Sequence, residues 1–389
     1  MDILSFLRQS LAVAPHMTFW NPSSPPSPLL RRFASLLEPL DDAALERMAR
    51  DASLLTRRHF GNAVRMFAPI YLSNECINSC TYCGFSRENA IVRVTLEVAQ
   101  VVAEARHLKA QGFRSLLLVA GEHPKFVSNG YLEKCVAAVA AEVPSVALEV
   151  APLDTEDYRL MVRAGAEALV VYQETYDPEH YAQLHVAGPK RDYAWRLACP
   201  ERGYDAGFRR IGIGALFGLC PWREEALALA RHLEHLLKRC WRGQFTLSLP
   251  RLRPCAGEFA PTHPVGDRDF TQLQCAFRIC FPQVGIVMST REPAHLRNAL
   301  APLGVTMMSA GSHTEPGGYT GQGKDALHHT VRGRQVALEP AAAAQGATEQ
   351  FAIADERSPA EVAAALHARG LDAVWKDWDP GILGEPALV

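Results

Sequence analysis

From about residue 68 the chain alternates short apolar runs with longer stretches whose apolar residues recur at helical spacing. Eight such runs stand out: Ala68–Ser73, Ser115–Ala120, Ser145–Val150, Ala168–Tyr172, Arg210–Ala215, Phe245–Leu249, Gly285–Thr290 and Val305–Ser309. Strand-period and helix-period segments in alternation specify parallel βα units. Eight of them close a ring. The predicted architecture is an α/β fold, a (β/α)8 TIM-type barrel over residues 61–335. It carries an N-terminal helical extension over 1–60, and a linker with a C-terminal helical tail over 336–389, packed on the barrel. Leu96–Ala110 is expected as a helix capped by Thr95 and stopped near Gly112, and Ser358–Gly370 as another, with Ser358 and Glu361 in capping positions. The terminal Val374–Trp378 should pack against the main body.

In such a barrel the segment after each strand lies at the carboxyl mouth, where the chemistry is done. After the first strand comes Cys76-Ile77-Asn78-Ser79-Cys80-Thr81-Tyr82-Cys83, a C-x3-C-x2-C spacing. Three thiolates cannot complete a four-ligand site. Zinc would require a fourth ligand such as Cys255 or a histidine; a [4Fe–4S] cluster would keep one iron open to a non-protein ligand. Softness alone does not choose between them, but spacing and position after a strand favour the cluster.

Composition narrows the partners. The 389 residues carry 40 Lys and Arg against 42 Asp and Glu, a net charge of −2, with no dense basic run to attract nucleic acid or an anionic membrane. No stretch of about eighteen uncharged apolar residues is present, and residues 1–10 lack a signal-peptide pattern, so a cytoplasmic location is expected. Ten cysteines without a secretory signal point to reduced thiols or metal ligands.

The cysteine loop, together with Arg58–Asn62, Tyr71–Asn74, Leu116–His123, Val171–Tyr176, Gly212–Leu216, Pro250–Cys255, Ser289–Glu292, Pro316–Tyr319 and Trp375–Trp378, resembles the radical S-adenosylmethionine (SAM) superfamily. Within it the likeness is to the 2-iminoacetate synthase (tyrosine lyase) family of thiamine biosynthesis. The resemblance implies a [4Fe–4S] cluster on Cys76, Cys80 and Cys83, and SAM on the open iron. It places Tyr82 near the adenine, and Gly121 and Glu122 at the SAM amino group, with Ala120 standing where the family has a first glycine. Arg196 would clamp the SAM carboxylate, Glu149 would reach the ribose hydroxyls, and Gly212 and Gly214 would let their strand approach the nucleoside.

For the substrate, L-tyrosine, the resemblance offers Arg291 as the carboxylate fork and Ser309 as its helper. Gln173, Glu174 and Tyr176 would orient the amine or phenol. Arg251 and Arg253 either face the mouth or brace loops. His123 is a supporting histidine, and Cys255 with Cys135, Cys199, Cys220, Cys240, Cys275 and Cys280 are buried apolar thiols. The implied reaction splits the Cα–Cβ bond to give 2-iminoacetate and p-cresol. The implied partners are a reductant such as flavodoxin or ferredoxin and a thiazole synthase that takes the imine. A tryptophan-cleaving relative and a non-catalytic zinc-stabilised barrel are the alternatives. A hydrogenase-maturing tyrosine lyase would need a second cysteine motif, and no cysteine follows Cys280.

Overall fold

The computed structural model describes residues 25–331, 334–338 and 346–375. Among the described residues two helices come first, α1 (Pro28–Leu36) and α2 (Asp42–Phe60). Ser27 and Asp41 open them by accepting the otherwise orphaned N–H groups of Leu30 and Ala44.

Strands β1 (Ala63–Ser73), β2 (Ser79–Cys80), β3 (Ser115–Ala120), β4 (Ser145–Glu149), β5 (Ala168–Glu174), β6 (His185–Ala187), β7 (Arg210–Ala215), β8 (Gln244–Ser248), β9 (Gly285–Met288) and β10 (Met307–Ser309) follow. Eight of them, all but β2 and β6, form one parallel sheet that closes where β1 meets β10, Arg65 opposite Met307 and Phe67 opposite Ser309. Strands covered on both faces need apolar residues on both. In β1, Val64, Met66, Ala68, Ile70 and Leu72 pack outward into the main core, while Phe67 and Tyr71 face the lumen with Leu117 and Val119 of β3. All eight predicted strands are present, their ends moved by up to five residues.

The outer layer comprises α3 (Val98–Ala110), α4 (Asn129–Ala140), α5 (Thr155–Arg163), α6 (Pro178–Leu184), α7 (Tyr193–Leu197), α8 (Cys199–Ala206), α9 (Trp222–Arg239), α10 (Asp267–Cys280) and α11 (Ala294–Gly304). Helix α1 docks on α10 through Phe33 and Phe277, ring centroids 4.7 Å apart. Thr95 is not the cap of α3. It bridges to Ser73, their hydroxyls 2.7 Å apart, so the helix starts two residues later, where the Glu97 N–H donates to Gln100 Oε1 at 2.8 Å. Between β5 and β7 the chain makes a long excursion through α6, β6, α7 and α8, and this carries Lys190 and Arg196 over the mouth.

The tail is more than helical. It contains a hairpin of β11 (His328–Val331) and β12 (Arg334–Ala337), then α12 (Pro359–His367), capped by Ser358 and Glu361 as predicted, and β13 (Asp372–Val374). Strand β13 joins the sheet as a ninth member, parallel to β1 at Ala63–Arg65, and Trp375 packs edge-on to Phe113. Trp378 lies outside the described residues. Segment 346–357 crosses the mouth and is pinned there by a fully buried ion pair between Arg297 of α11 and Asp355. Arg297 also donates to the Ser309 carbonyl. Such a pair adds little net stability, but an unpaired survivor would be costly, so the tail is held in one register.

Candidate active site

Strand β1 delivers the cysteine loop to the mouth, and two buried side chains fix its shape. The Asn74 amide donates to the carbonyls of Val92 and Thr348 at 2.9 and 3.1 Å, and its oxygen accepts from Val94 N at 2.8 Å. The Arg93 guanidinium donates to the carbonyls of Asn74, Phe85 and Ser86, tying the loop's start to its end. Glu75, directly before Cys76, accepts from His328 Nε2 and the Thr330 hydroxyl, both at 2.6 Å, and so anchors hairpin β11–β12.

The three thiols fit a cluster by their donor set. Burial pushes the Cys80 thiol up to about 12 and raises that of Cys83, so both are neutral until metal displaces the proton. Amide donors stand at the sulfurs: Asn78 Nδ2 is 3.7 Å from Cys76 Sγ, and Gln350 Nε2 is 3.8 Å from Cys83 Sγ. Cys255 does not complete a fourth position; its S–H donates to the Tyr82 carbonyl at 3.3 Å. A zinc ion would draw its sulfurs to within about 4 Å of one another. Among the described residues no three His, Cys, Asp or Glu groups are gathered closely enough to hold one metal ion.

On one side of the trio lies a charged wall. Asn78 donates to Glu122 Oε2 at 2.6 Å and accepts from Lys190 N at 2.9 Å, joining three loops distant in sequence. At Gly121 a Cβ would collide with the Glu75 carbonyl oxygen, so only glycine lets the β3 loop approach the cysteine loop this closely. Glu174, at the end of β5 with φ 70°, accepts from Lys190 Nζ at 2.7 Å and lies 3.5 Å from Arg196. Burial pushes the Glu174 carboxyl up, but Lys190 and Arg196 more than offset it and hold it ionised. Two cations face one anion here, leaving positive charge for an incoming carboxylate. Tyr82 is buried against the wall. Its hydroxyl donates to His185 Nε2 at 2.7 Å, while His185 Nδ1 donates to the Tyr181 carbonyl. Burial, then Lys190, push that imidazole down to about 3, which keeps it neutral.

On the other side a cavity is lined by Tyr71, Glu149, Tyr172, Arg291, Ser309 and Phe351, among others. The Arg291 guanidinium lies over the Phe351 ring, its Cζ 3.4 Å from the centroid, and Ser309 Oγ accepts from Thr290 N at 3.2 Å. Burial pushes Glu149 up to about 7, with Arg291 pulling against it and Glu174 adding to it. Tyr71 meets Phe85 of the cysteine loop edge-on, ring centroids 5.9 Å apart, so cavity and loop share a wall.

Several predicted residues lie elsewhere. Side chains alternate along β5, so with Tyr172 turned inward Gln173 turns outward, where its amide lies 3.4 Å from the Tyr193 carbonyl. Tyr176 is buried in the outer core, its hydroxyl 2.8 Å from His232 Nδ1. Gly212 lines a second cavity at the opposite end of the barrel, away from the thiols, while Gly214 pairs with Ser248 at the rim. Arg251 is a brace, bonded to Glu292, Asp267 and the Val265 carbonyl. His123 accepts from Lys125 N and stacks on Phe126.

Sequence reasoning missed Lys190, His185, Phe351 and Gln350. For Lys190 a signal existed in its position between a strand end and Arg196. Phe351 and Gln350 sit in what looked like linker, with no motif around them.

A closed parallel barrel with C-x3-C-x2-C at its carboxyl mouth defines a radical SAM enzyme, which uses a [4Fe–4S] cluster and SAM. Residues 70–230 match the Radical SAM superfamily model and residues 248–372 the Biotin and Thiamin Synthesis associated domain. The chain is 40% identical over 346 residues to the 2-iminoacetate synthase of Escherichia coli K12, covering 89% of this chain and 86% of that protein. For the 2-iminoacetate synthase of Salmonella typhimurium LT2 the identity is 39% with the same coverage. Among solved structures, the FeFe-hydrogenase maturase HydG from Carboxydothermus hydrogenoformans superposes with a TM-score of 0.80 at 33% identity, covering 90% of this chain and 76% of that one. The chain belongs to the 2-iminoacetate synthase family of radical SAM enzymes.

Proposed function

We propose that the chain is a lyase that cleaves the Cα–Cβ bond of L-tyrosine, yielding 2-iminoacetate and p-cresol for thiazole formation in thiamine biosynthesis. The observation that carries this reading is a guanidinium and a carboxyl, Arg291 and Glu149, lining one cavity beside the cysteine loop. An α-amino acid presents the complementary pair, a carboxylate and an ammonium, on one carbon.

Cys76, Cys80 and Cys83 would hold the cluster and SAM would bind its open iron; together, given one electron from a donor such as flavodoxin or ferredoxin, they would supply a 5′-deoxyadenosyl radical by breaking a sulfonium C–S bond, with methionine as the other product. The remaining residues bind and aim. Glu122, fixed by Asn78, meets the SAM ammonium. Lys190 and Arg196, only half offset by Glu174, meet its carboxylate, and Tyr82 flanks the nucleoside. Arg291 forks the tyrosine carboxylate with Ser309 beside it. Glu149 takes the tyrosine ammonium rather than the ribose. Segment 346–357 closes the mouth, which keeps water and other hydrogen donors from the radical. The imine hydrolyses readily, so a thiazole synthase in the cytoplasm receives it directly.

The test is anaerobic incubation of reconstituted protein with SAM, a reductant and tyrosine. The proposal requires p-cresol and 5′-deoxyadenosine; release of 3-methylindole from tryptophan without p-cresol from tyrosine would replace the substrate.

Glu149 supplies a second check. Its carboxyl titrates near 7 and only the ionised form holds an ammonium, so tyrosine affinity should fall as pH drops through about 7. Glu149→Gln should bind tyrosine about tenfold more weakly at pH 8, a charge-assisted hydrogen bond's worth, and lose that pH dependence. Tyrosine titrations of both proteins between about pH 6 and pH 8.5 decide it. The same pH dependence in both would remove Glu149 from the role.

A further inference from the structure

Segment 346–355 looks like a linker by composition, yet it runs along the cysteine loop. The Thr348 carbonyl accepts from Asn74 Nδ2 and its hydroxyl accepts from Val92 N at 3.0 Å. Gln350 N donates to the Thr314 carbonyl at 3.0 Å, and Ala352 N to the Pro254 carbonyl at 2.8 Å. Against this segment the cysteine loop presents Gly84, where any Cβ would strike the Gln350 carbonyl oxygen. The contact admits no side chain, and it brings Gln350 up to the last cysteine.

The Gln350 carboxamide is held at both ends. Its Oε1 accepts from the Tyr71 hydroxyl at 2.8 Å, which turns the NH2 group toward Cys83 Sγ, 3.8 Å away. The reverse orientation would set a carbonyl oxygen against a sulfur that is anionic once it binds iron. An N–H dipole aimed at a ligating thiolate favours the cluster state that carries the extra electron. Asn78 makes a similar contact on Cys76, but its amide is already committed to Glu122 at 2.6 Å. Gln350 bonds to none of the groups assigned to SAM.

We propose that Gln350, supplied by the C-terminal segment and oriented by Tyr71, is a positioning residue that donates to the Cys83 thiolate and raises the reduction potential of the cluster. The inference rests on the radical SAM reading and deepens it. The barrel's loop would supply the ligands; the tail would set how readily the cluster they hold takes up an electron.

The test is a redox titration of the anaerobically reconstituted full chain followed by electron paramagnetic resonance, without SAM or substrate. Gln350→Leu keeps the volume and removes the donor. It should lower the ratio of reduced to oxidised cluster about tenfold at a fixed reductant potential, a shift of about 59 mV for one electron. Tyr71→Phe leaves Gln350 in place but frees its amide, and should shift the midpoint the same way by less. Unchanged midpoints in both variants, with iron and sulfide contents equal to the parent, overturn the proposal. If Gln350→Leu fails to retain a cluster, Tyr71→Phe alone decides: a lower midpoint supports the assignment and an unchanged one defeats it. A parent chain that assembles no cluster would instead sink the radical SAM reading, so the two failures are distinguishable.

Discussion

Cys80→Ala should yield a colourless protein that cleaves no SAM, yet unfolds as cooperatively as the parent. The fold would survive because the Cys80 side chain holds nothing else together. The loop is tied through Asn74, Arg93 and Glu75, and Cys80 contributes backbone pairing to β6, which alanine keeps. Losing one buried sulfur among Tyr82, Leu216 and Leu219 costs about 1–2 kcal/mol, a fraction of a domain's stability. Losing one of three ligands is different in kind, because one iron of the cluster is left without its protein ligand and two thiolates do not hold what three are needed to hold. Iron and acid-labile sulfide analysis, the resonance of the reduced cluster and 5′-deoxyadenosine release measure it. Cys255→Ala is the control. Its S–H serves only the Tyr82 carbonyl, so it should retain full iron, and loss of metal from that variant would revive the zinc alternative.

The barrel was legible because its strands are buried on both faces and therefore appear as unbroken apolar runs, each followed by a helix with its own stop signal. The cysteine loop was legible because its ligands sit within eight residues. What escaped lies in long-range geometry. Gln350 meets Cys83 across 267 positions, and Lys190 reaches Glu174 only because the chain detours through α6 and β6. Strand β13 was missed because a three-residue Asp-Ala-Val is too short to show a period. Gln173 was misplaced for a simpler reason: it shares a motif with Glu174, but neighbours on a strand face opposite ways. The Thr95 cap failed because its hydroxyl was already taken by Ser73, a partner 22 residues earlier.

Arg291→Ala should weaken tyrosine binding by about 2–4 kcal/mol, roughly 30- to 1000-fold, while leaving SAM affinity within about twofold. The asymmetry follows from where the charges stand. Lys190, Arg196 and Glu174 form a group with one positive charge to spare on the cysteine-loop side of the mouth, whereas Arg291, just beyond β9, pairs electrostatically with Glu149 in the other cavity. Contact with Phe351 removes water from one face of the guanidinium and restricts its motion, so part of the ordering cost is met before a carboxylate arrives. Alanine would remove both the fork and the charge that lowers Glu149, leaving a carboxyl with still less reason to ionise and thus a poorer partner for the ammonium as well. Arg291→Lys should recover part of the affinity, since an ammonium keeps the charge but cannot offer two parallel donors. Equilibrium titration of tyrosine and of SAM against the same reconstituted protein reads both affinities. Equal losses for the two ligands would mean that Arg291 shapes the mouth as a whole and that the substrate carboxylate is held elsewhere.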